Sequence, residues 1–247
     1  MRTILITGSG SGIGEAIALK MAGQCECLIL HTGSNEAGLA RVAATCEEAG
    51  SKVQRVVGDL AEEHTIDALL SAGIAEGVSG VVLNAGFPDW QGFESLDNEG
   101  LERSMQVILS AHFQLLRGLI PTLKSAEHGR VIGISSFLAY KFMVGEQVFP
   151  ASVMAKAALE GMIKSFAAQY AEVGLTANVI VPGYIKKNAP NHTPPDKAGL
   201  QEILDRIPAG RLGRSEEVAE LADFLLSPRA DYITGQSIHI DGGLLLK

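Results

Sequence analysis

The chain has 247 residues, of which 47% are hydrophobic and 19% charged, a balance typical of an α/β domain with a sizeable core. Its formal net charge of −8 argues against a nucleic-acid partner, which would favour a basic face. No apolar run has the length of a bilayer span, and the opening residues MRTILITGSG enter a predicted strand directly. Together with an odd count of three cysteines, these features predict a cytoplasmic protein without signal peptide, membrane partner or metal site.

Short apolar runs alternate with longer helical patterns along the chain. Strands are predicted at 3–7, 27–31, 52–58, 80–86, 129–136, 176–183 and 236–243. Helices are predicted at 12–23, 36–50, 64–72, 98–123 and 150–173. Strands that alternate with helices imply an α/β fold whose doubly wound parallel sheet is covered on both faces.

One long stretch, YIKKNAPNHTPPDKAG at 184–199, has no regular pattern and contains three prolines that forbid a regular helix. A loop of this length inside a compact domain is usually a lid or a binding loop. We therefore expect it to border a ligand site.

The glycine-rich motif TGSGSGIG, at 7–14, follows the first predicted strand and opens the first helix. Gly8 permits a tight turn there, while Gly12 and Gly14 let the backbone and the helix approach a pyrophosphate. The helix N-terminus adds oriented N–H groups and a partial positive charge. An isolated glycine-rich turn is weak evidence, but its place in an alternating α/β pattern favours a dinucleotide site.

Five segments in order resemble the short-chain dehydrogenase/reductase family over almost the whole chain, and most closely its β-ketoacyl-carrier-protein reductase type. They are TGSGSGIG, GDL at 58–60, NAG at 84–86, PG at 182–183, and GRLGRSEEVAELADFLLS followed by YITGQSIHIDGG. The resemblance implies one Rossmann-type domain over 1–247, with dinucleotide-binding motifs in 1–90 and the catalytic and substrate region in 105–200. It also implies a homotetramer.

The same resemblance implies the cofactor-binding residues, among which Asp59 would contact the adenine. An NAD-preferring relative would carry an acid where Thr32 ends the second strand. Without that carboxylate nothing repels a 2′-phosphate, which Thr32, Ser34 and the backbone of Gly33 can hold. Ser11, however, stands where many NADP-binding relatives have Arg or Lys. The sequence predicts NADP(H) over NAD(H), bound by Gly8, Ser11, Gly12, Ile13, Gly14, Thr32, Ser34, Asp59, Leu60, Asn84, Ala85, Gly86, Lys156, Pro182, Gly183 and Ile185.

The resemblance implies a catalytic Ser, a Tyr, a Lys four residues later, and a supporting Asn on the preceding long helix. Ser136 falls at the serine position and Lys156 at the lysine position. The asparagine position, 24 residues past the asparagine of NAG, holds Ile108. The tyrosine position holds either Phe149, 13 residues past the serine, or Ser152, four residues before the lysine. Two members of the tetrad, the asparagine and the tyrosine, are therefore replaced whichever of the two positions corresponds to the tyrosine.

Reduction of a carbonyl leaves an alkoxide that needs a proton. Phe149 has a ring and no proton, and Ser152 has a short side chain that is a far weaker acid than a phenol. Tyr140 is the only phenol nearby, and it either enters the pocket or packs beside it, with packing favoured. The catalytic candidates are Ser136, Lys156, Ser152 and Tyr140.

Three functions remain open. The first is an NAD(P)-dependent oxidoreductase that interconverts a small carbonyl and an alcohol with an unusual acid. The second is reduction of a conjugated C=C bond, because FPASVMAK and VILSAHF resemble the enoyl-carrier-protein reductase branch in spacing. The third is cofactor binding with little or no catalysis. The lysines of 184–199 allow an anionic or acyl-thioester substrate, and Trp90 is either a pocket wall or an exposed packing residue.

Overall fold

The structure is a computed structural model that describes residues 2–142, 148–186 and 197–246. Its strands are β1 (Thr3–Ile6), β2 (Cys27–Thr32), β3 (Lys52–Val57), β4 (Gly80–Leu83), β5 (Arg130–Ile134), β6 (Thr176–Pro182) and β7 (Ser237–Ile240). They form one parallel sheet in the order β3-β2-β1-β4-β5-β6-β7. This confirms the doubly wound α/β fold that the alternating pattern predicts.

The helices are α1 (Gly12–Met21), α2 (Glu36–Glu48), α3 (Glu63–Ala75), α4 (Asn98–Met105), α5 (Ala111–Ser125), α6 (Pro150–Tyr170), α7 (Lys197–Arg206) and α8 (Ser215–Leu226). The single helix predicted at 98–123 is in fact α4 and α5 joined by a π-helical turn, Gln106–Ser110. None of the helices in the described ranges combines the length and apolar character needed to cross a bilayer.

The stretch predicted to be irregular, 184–199, includes at its C-terminal end three residues that are helical in the structure. Helix α7 begins at Lys197, because the last proline of the stretch lies before it and no longer restrains the backbone. Residues 187–196 lie outside the described residues.

Side chains of successive strand residues point to opposite faces of the sheet, and both faces are covered. Leu5 and Val81 pack on the face covered by α3, α5 and α6, whereas Ile4 and Val82 pack on the face covered by α1, α2 and α8. Burial on both faces explains why central strands such as β1 and β4 are short, mostly apolar runs, whereas the edge strands β3 and β7 include polar residues.

The strand order reverses between β1 and β4, and this is where an open α/β sheet forms a crevice at its carboxyl edge. The loops that follow these strands contain the glycine-rich motif and the NAG segment. Gly8 and Gly12 adopt the left-handed conformation, with φ of +68° and +61°, which glycine tolerates best. A Cβ on Gly14 would overlap the carbonyl oxygen of Gly8, so α1 can begin this close to β1 only because Gly14 has no side chain.

Candidate active site

The crevice opens into a cavity of about 1200 Å³ lined by the loops after β1, β2, β3, β4, β5 and β6 and by α7. Two predicted cofactor residues, Gly14 and Lys156, lie behind its wall. Gly14 packs on Gly8, and Lys156 lies under Gly86. The other predicted residues line it: Gly8, Ser11, Gly12, Ile13, Thr32, Ser34, Asp59, Leu60, Asn84, Ala85, Gly86, Pro182, Gly183 and Ile185.

The start of α1 has the features of a pyrophosphate site. Ser11 is the N-cap in an extended conformation, and its side chain makes no capping hydrogen bond. Ser11, Gly12 and Ile13 line the cavity, and a Cβ at Gly12 would meet nothing within 4 Å. The first N–H groups of a helix have no partner inside the helix, so they are suited to an anion. The residues present here fit the pyrophosphate of a dinucleotide.

The end of β2 presents a neutral polar surface to the cavity. Thr32, Gly33, Ser34 and Asn35 line it there, and none of them is a carboxylate. Asn35 is fixed in place, since its Nδ2 donates to the Gly10 carbonyl at 2.9 Å and its Oδ1 caps α2 by accepting from the Gly38 N–H at 3.1 Å. This end of the cavity accommodates either a ribose hydroxyl or a 2′-phosphate.

Asp59 forms an ion pair with Arg103, which also lines the cavity. The guanidinium of Arg103 lowers the pKa of the Asp59 carboxyl, and it lies 5.9 Å from the ring centroid of Phe87. Sequence reasoning missed Arg103 because it lies 44 residues from its partner and only the fold brings the two together.

A buried hydrogen-bond network around Thr7 connects the two central strand ends. Thr7 Oγ1 accepts from the backbone N–H groups of Asn84 and Ala85, each at 3.0 Å, and lies 3.1 Å from His112 Nε2. His112 Nδ1 lies 2.9 Å from the Ile108 carbonyl oxygen. Since a carbonyl only accepts, Nδ1 carries the proton and Nε2 accepts the Thr7 hydroxyl. Burial lowers the pKa of His112 to about 3, so the ring stays neutral.

His112 forms its hydrogen bond with the carbonyl of Ile108, the residue at the position where the resemblance implies an asparagine. Ile108 is fully buried in the π-helical turn between α4 and α5. Sequence reasoning did not single out His112, although its position one helical turn beyond Ile108 was a usable signal. In this chain a buried histidine, not an asparagine, organises the backbone at this point.

Lys156 lies beneath the NAG segment. Its Nζ donates to the Ile134 carbonyl at 2.6 Å and lies 3.2 Å from the point where a Cβ on Gly86 would stand. The side chain is half-buried, and loss of water around the amine lowers the pKa of Lys156 to about 8. At neutral pH the amine is therefore mostly charged yet close to releasing its proton.

Ser136 and Phe149 both line the cavity. Ser136 caps a short 3₁₀ turn, Phe137–Ala139, and its Oγ accepts from the Leu138 N–H at 3.3 Å. Its own hydroxyl proton can still be donated to a ligand. Phe149 is the N-cap of α6, directly before Pro150 at the first helical position.

The other two candidate hydroxyls do not line the cavity. Ser152 is buried, and its Oγ accepts from the Asp89 N–H at 2.7 Å and donates to the Phe87 carbonyl at 3.1 Å. The hydroxyl of Tyr140 donates to the Glu160 carboxylate. Burial and that carboxylate raise the pKa of Tyr140, the opposite of what a catalytic phenol needs. The ring of Tyr140 packs edge-to-face on His239, and Tyr140 is not among the residues that line the cavity.

Glu160 lies one helical turn after Lys156 and is buried. Besides Tyr140, it accepts hydrogen bonds from Ser135 Oγ at 2.5 Å and Ser237 Oγ at 2.7 Å. It therefore fixes the end of β5, next to Ser136. Over the described ranges, no group of three or more His, Cys, Asp or Glu side chains is placed to hold a metal ion.

Comparisons with known proteins cover nearly the full chain. A family model described as enoyl-(acyl carrier protein) reductase matches residues 8–245. The uncharacterized oxidoreductase YmfI of Bacillus subtilis is 32% identical over 98% of both chains. The 3-oxoacyl-(acyl-carrier-protein) reductase FabG of Aggregatibacter actinomycetemcomitans is 34% identical, also over 98% of both chains. A proposed NAD(P)-dependent gluconate 5-dehydrogenase from Beutenbergia cavernae, with NADP bound at low occupancy, has a TM-score of 0.90 and is 30% identical, covering 100% of this chain and 97% of its own.

The network around His112 predicts a stability effect. In His112→Leu, the buried Ile108 carbonyl loses its histidine donor, while the Thr7 hydroxyl can still donate to the Val82 carbonyl at 3.3 Å, so we expect the free energy of unfolding to fall by about 1–3 kcal/mol. Urea unfolding measures it. The control is His64→Leu on an exposed position of α3, which should stay within about 0.5 kcal/mol of the parent. Equal effects of the two substitutions would contradict the network's role.

Proposed function

This chain belongs to the short-chain dehydrogenase/reductase family; on that premise we propose that it is an NADP(H)-dependent oxidoreductase that interconverts a small carbonyl compound and the corresponding alcohol. One observation carries the proposal. A single cavity brings the glycine-rich turn and the end of β2 together with Ser136, and Lys156 lies behind its wall, under Gly86 of the NAG segment.

Each part of the cofactor has residues suited to it. The start of α1 would hold the pyrophosphate, and Thr32 and Ser34 would hold the 2′-phosphate. Asp59 would lie on the adenine side, and Lys156 would hold the nicotinamide ribose. When bound, the dinucleotide supplies or removes a hydride. The NADP in the Beutenbergia cavernae structure supports this choice of cofactor.

The chain's own groups would handle the oxygen and the proton. Ser136 Oγ accepts from the Leu138 N–H, so its O–H is free to donate to the substrate carbonyl and polarise it. The developing alkoxide then takes a proton from Lys156 Nζ, which becomes a neutral amine and recharges from water. A pKa near 8 matches a general acid working at neutral pH. Ser152 and Tyr140 are less suited to this step because each hydroxyl has a single proton, which a protein acceptor takes, whereas the ammonium of Lys156 has three N–H groups and the Ile134 carbonyl takes one.

Reduction of a conjugated C=C bond is the second candidate. The description of the matching family model supports it, as does the seven-residue spacing from Phe149 to Lys156. Ser136 and Lys156 would then stabilise an enolate oxygen.

NADPH oxidation should be followed with a panel of ketones and aldehydes and with a crotonyl thioester. Oxidation by carbonyls alone supports the first proposal, and oxidation by the thioester alone supports the second. NADPH binding without oxidation by either would overturn both in favour of cofactor binding without catalysis.

We also propose that the chain works in the cytoplasm as a homotetramer on a small, anionic or acyl-thioester substrate. Lys186 and Arg206 line the cavity and suit a negative group. Half-exposed Phe113, beside Leu109 and Met162, gives α5 and α6 an apolar outer surface that suits a subunit contact. The cysteines are free and buried, in keeping with a reducing compartment.

Cofactor preference depends on the neutral end of β2. Thr32→Asp places a carboxylate beside the proposed 2′-phosphate, so we expect the Kd for NADPH to rise at least about tenfold relative to that for NADH. Fluorescence of the bound nucleotides measures both constants. Thr32→Asn has nearly the same shape without the charge and should keep the preference for NADPH. An unchanged ratio in Thr32→Asp would refute this assignment of the phosphate site.

The proposal that Lys156 is the general acid predicts how the reaction rates depend on pH. The ammonium form donates the proton, so the rate of carbonyl reduction should fall as the pH rises through about 8, and alcohol oxidation, which needs the neutral amine, should rise over the same range. Lys156→Met should lower kcat and remove this transition. Lys164→Met, on the exposed side of the same helix, should keep it. A reduction rate that stays constant from pH 7 to about 10 would rule Lys156 out.

A further inference from the structure

Trp90 and Phe149 form an aromatic pair in the wall of the cavity. Their ring centroids are 5.0 Å apart and their planes meet at 74°, the edge-to-face geometry that aromatic rings prefer. Both residues line the same cavity as Ser136. Phe149 occupies one of the two positions where the family resemblance implies a tyrosine, so a ring remains there without a proton to give.

The segment that carries Trp90 is held in place before any ligand binds. Ser152 links it to α6 through the Phe87 carbonyl and the Asp89 N–H, at 3.1 and 2.7 Å. The Asp89 carboxylate is buried and accepts from the Gln91 N–H at 3.0 Å, which fixes the backbone on both sides of Trp90. A binding surface that is already ordered costs little entropy when a ligand arrives.

Apolar side chains line the cavity along with this pair, the Arg103 guanidinium lies 5.9 Å from the Phe87 ring centroid, and much of the indole is accessible. Phe87, Pro88 and Val107 also line this part of the cavity. Trp90 is 62% exposed, so a ligand can still cover a large part of its surface. A flat apolar group gains the geometry of aromatic contact there in addition to burial of area, whereas a puckered group of the same size gains burial alone.

We propose that Trp90 and Phe149 form a recognition subsite for a flat apolar group, aryl or conjugated, attached to the substrate carbonyl. Ser152 is the positioning residue of this subsite, because it fastens the Phe87–Asp89 backbone to α6. The inference rests on the proposed function, which identifies the cavity as the substrate site. It replaces a role for Ser152 in proton transfer with a role in substrate selection.

Binding without turnover tests the subsite directly. With the protein saturated with NADP⁺, a ketone cannot be reduced, and its binding can be measured by calorimetry and by the emission of Trp90, the only tryptophan of the chain. The probes are benzylacetone and its cyclohexyl analogue, which differ in ring planarity. We expect benzylacetone to bind roughly 3- to 10-fold more tightly.

Substitutions then show which residues cause the tighter binding of benzylacetone than of its cyclohexyl analogue. Trp90→Leu should bring the two affinities to parity, as measured by calorimetry. Phe93→Ala is the matched control, since Phe93 is 78% exposed nearby and is not among the cavity-lining residues. It should keep the full preference. Ser152→Ala should weaken the preference because both hydrogen bonds to the segment are lost, and Ser152→Thr, which keeps the hydroxyl, should restore it.

The outcomes separate the subsite from the proposed function. Equal binding of the two ketones, binding of neither, or a preference that survives Trp90→Leu would overturn the subsite. A preference of the expected size, lost in Trp90→Leu, supports it even if no ketone is turned over with NADPH. In that case the proposed oxidoreductase function fails, and the subsite is kept as a ligand-binding site.

Discussion

The hydroxyl of Thr7 is the contact on which the geometry of the site depends. It accepts two backbone N–H groups from the NAG segment and donates to a neutral histidine, so the ends of β1 and β4 are connected at the point where the strand order reverses. Asn84 adds a second connection, because its Nδ2 donates to the carbonyls of Thr7 and Gly8 at 2.9 and 3.0 Å. These buried hydrogen bonds hold the glycine-rich turn and the NAG segment in one fixed relation.

That fixed relation determines the environment of Lys156. The amine is confined between the Ile134 carbonyl and the glycine of NAG, and the lost hydration brings its pKa down toward neutrality. A phenol beside a lysine is one way to obtain an acid of suitable strength. Here neither position that the resemblance gives to a tyrosine holds one, and the lysine's own pKa already lies in the useful range. A different phenol, Tyr184, lines the cavity and packs against the ring of Phe137. The loops that carry the family's glycine-rich and NAG motifs line the cavity, whereas the residues at the tyrosine and asparagine positions differ from those that the resemblance implies.

Local patterns in the sequence predicted the strands, the helices and the glycine-rich turn, which depend mainly on residues close together in the chain. Apolar runs such as 27–31 become buried strands because both sheet faces are covered, and Gly8, Gly12 and Gly14 mark a turn that other residues would disturb. The π-helical turn carrying Ile108 was not predicted, since nothing in the helical periodicity of 98–123 distinguishes it.

Contacts between distant segments could not be predicted in the same way. The hydroxyl of Ser152 is bound by a segment 63 residues away along the chain, and Arg103 reaches Asp59 over 44 residues. Residue type and spacing make Ser152, which lies near Lys156 in the sequence, a candidate acid. Which acceptor takes its proton depends on how the serine packs in the fold. Local patterns therefore indicated which loops line the cavity, whereas the partners of the buried hydroxyls could be read only from the fold.

The central claim is that a lysine, and neither of the two nominated hydroxyls, delivers the proton. The most direct test is kcat for NADPH-dependent ketone reduction by the double variant Tyr140→Phe, Ser152→Ala at saturating ketone. The account predicts a kcat within about tenfold of the parent enzyme, since each of the two hydroxyls donates to a protein acceptor and neither lines the cavity. A loss of about a thousandfold or more, comparable to the removal of a general acid, would contradict it.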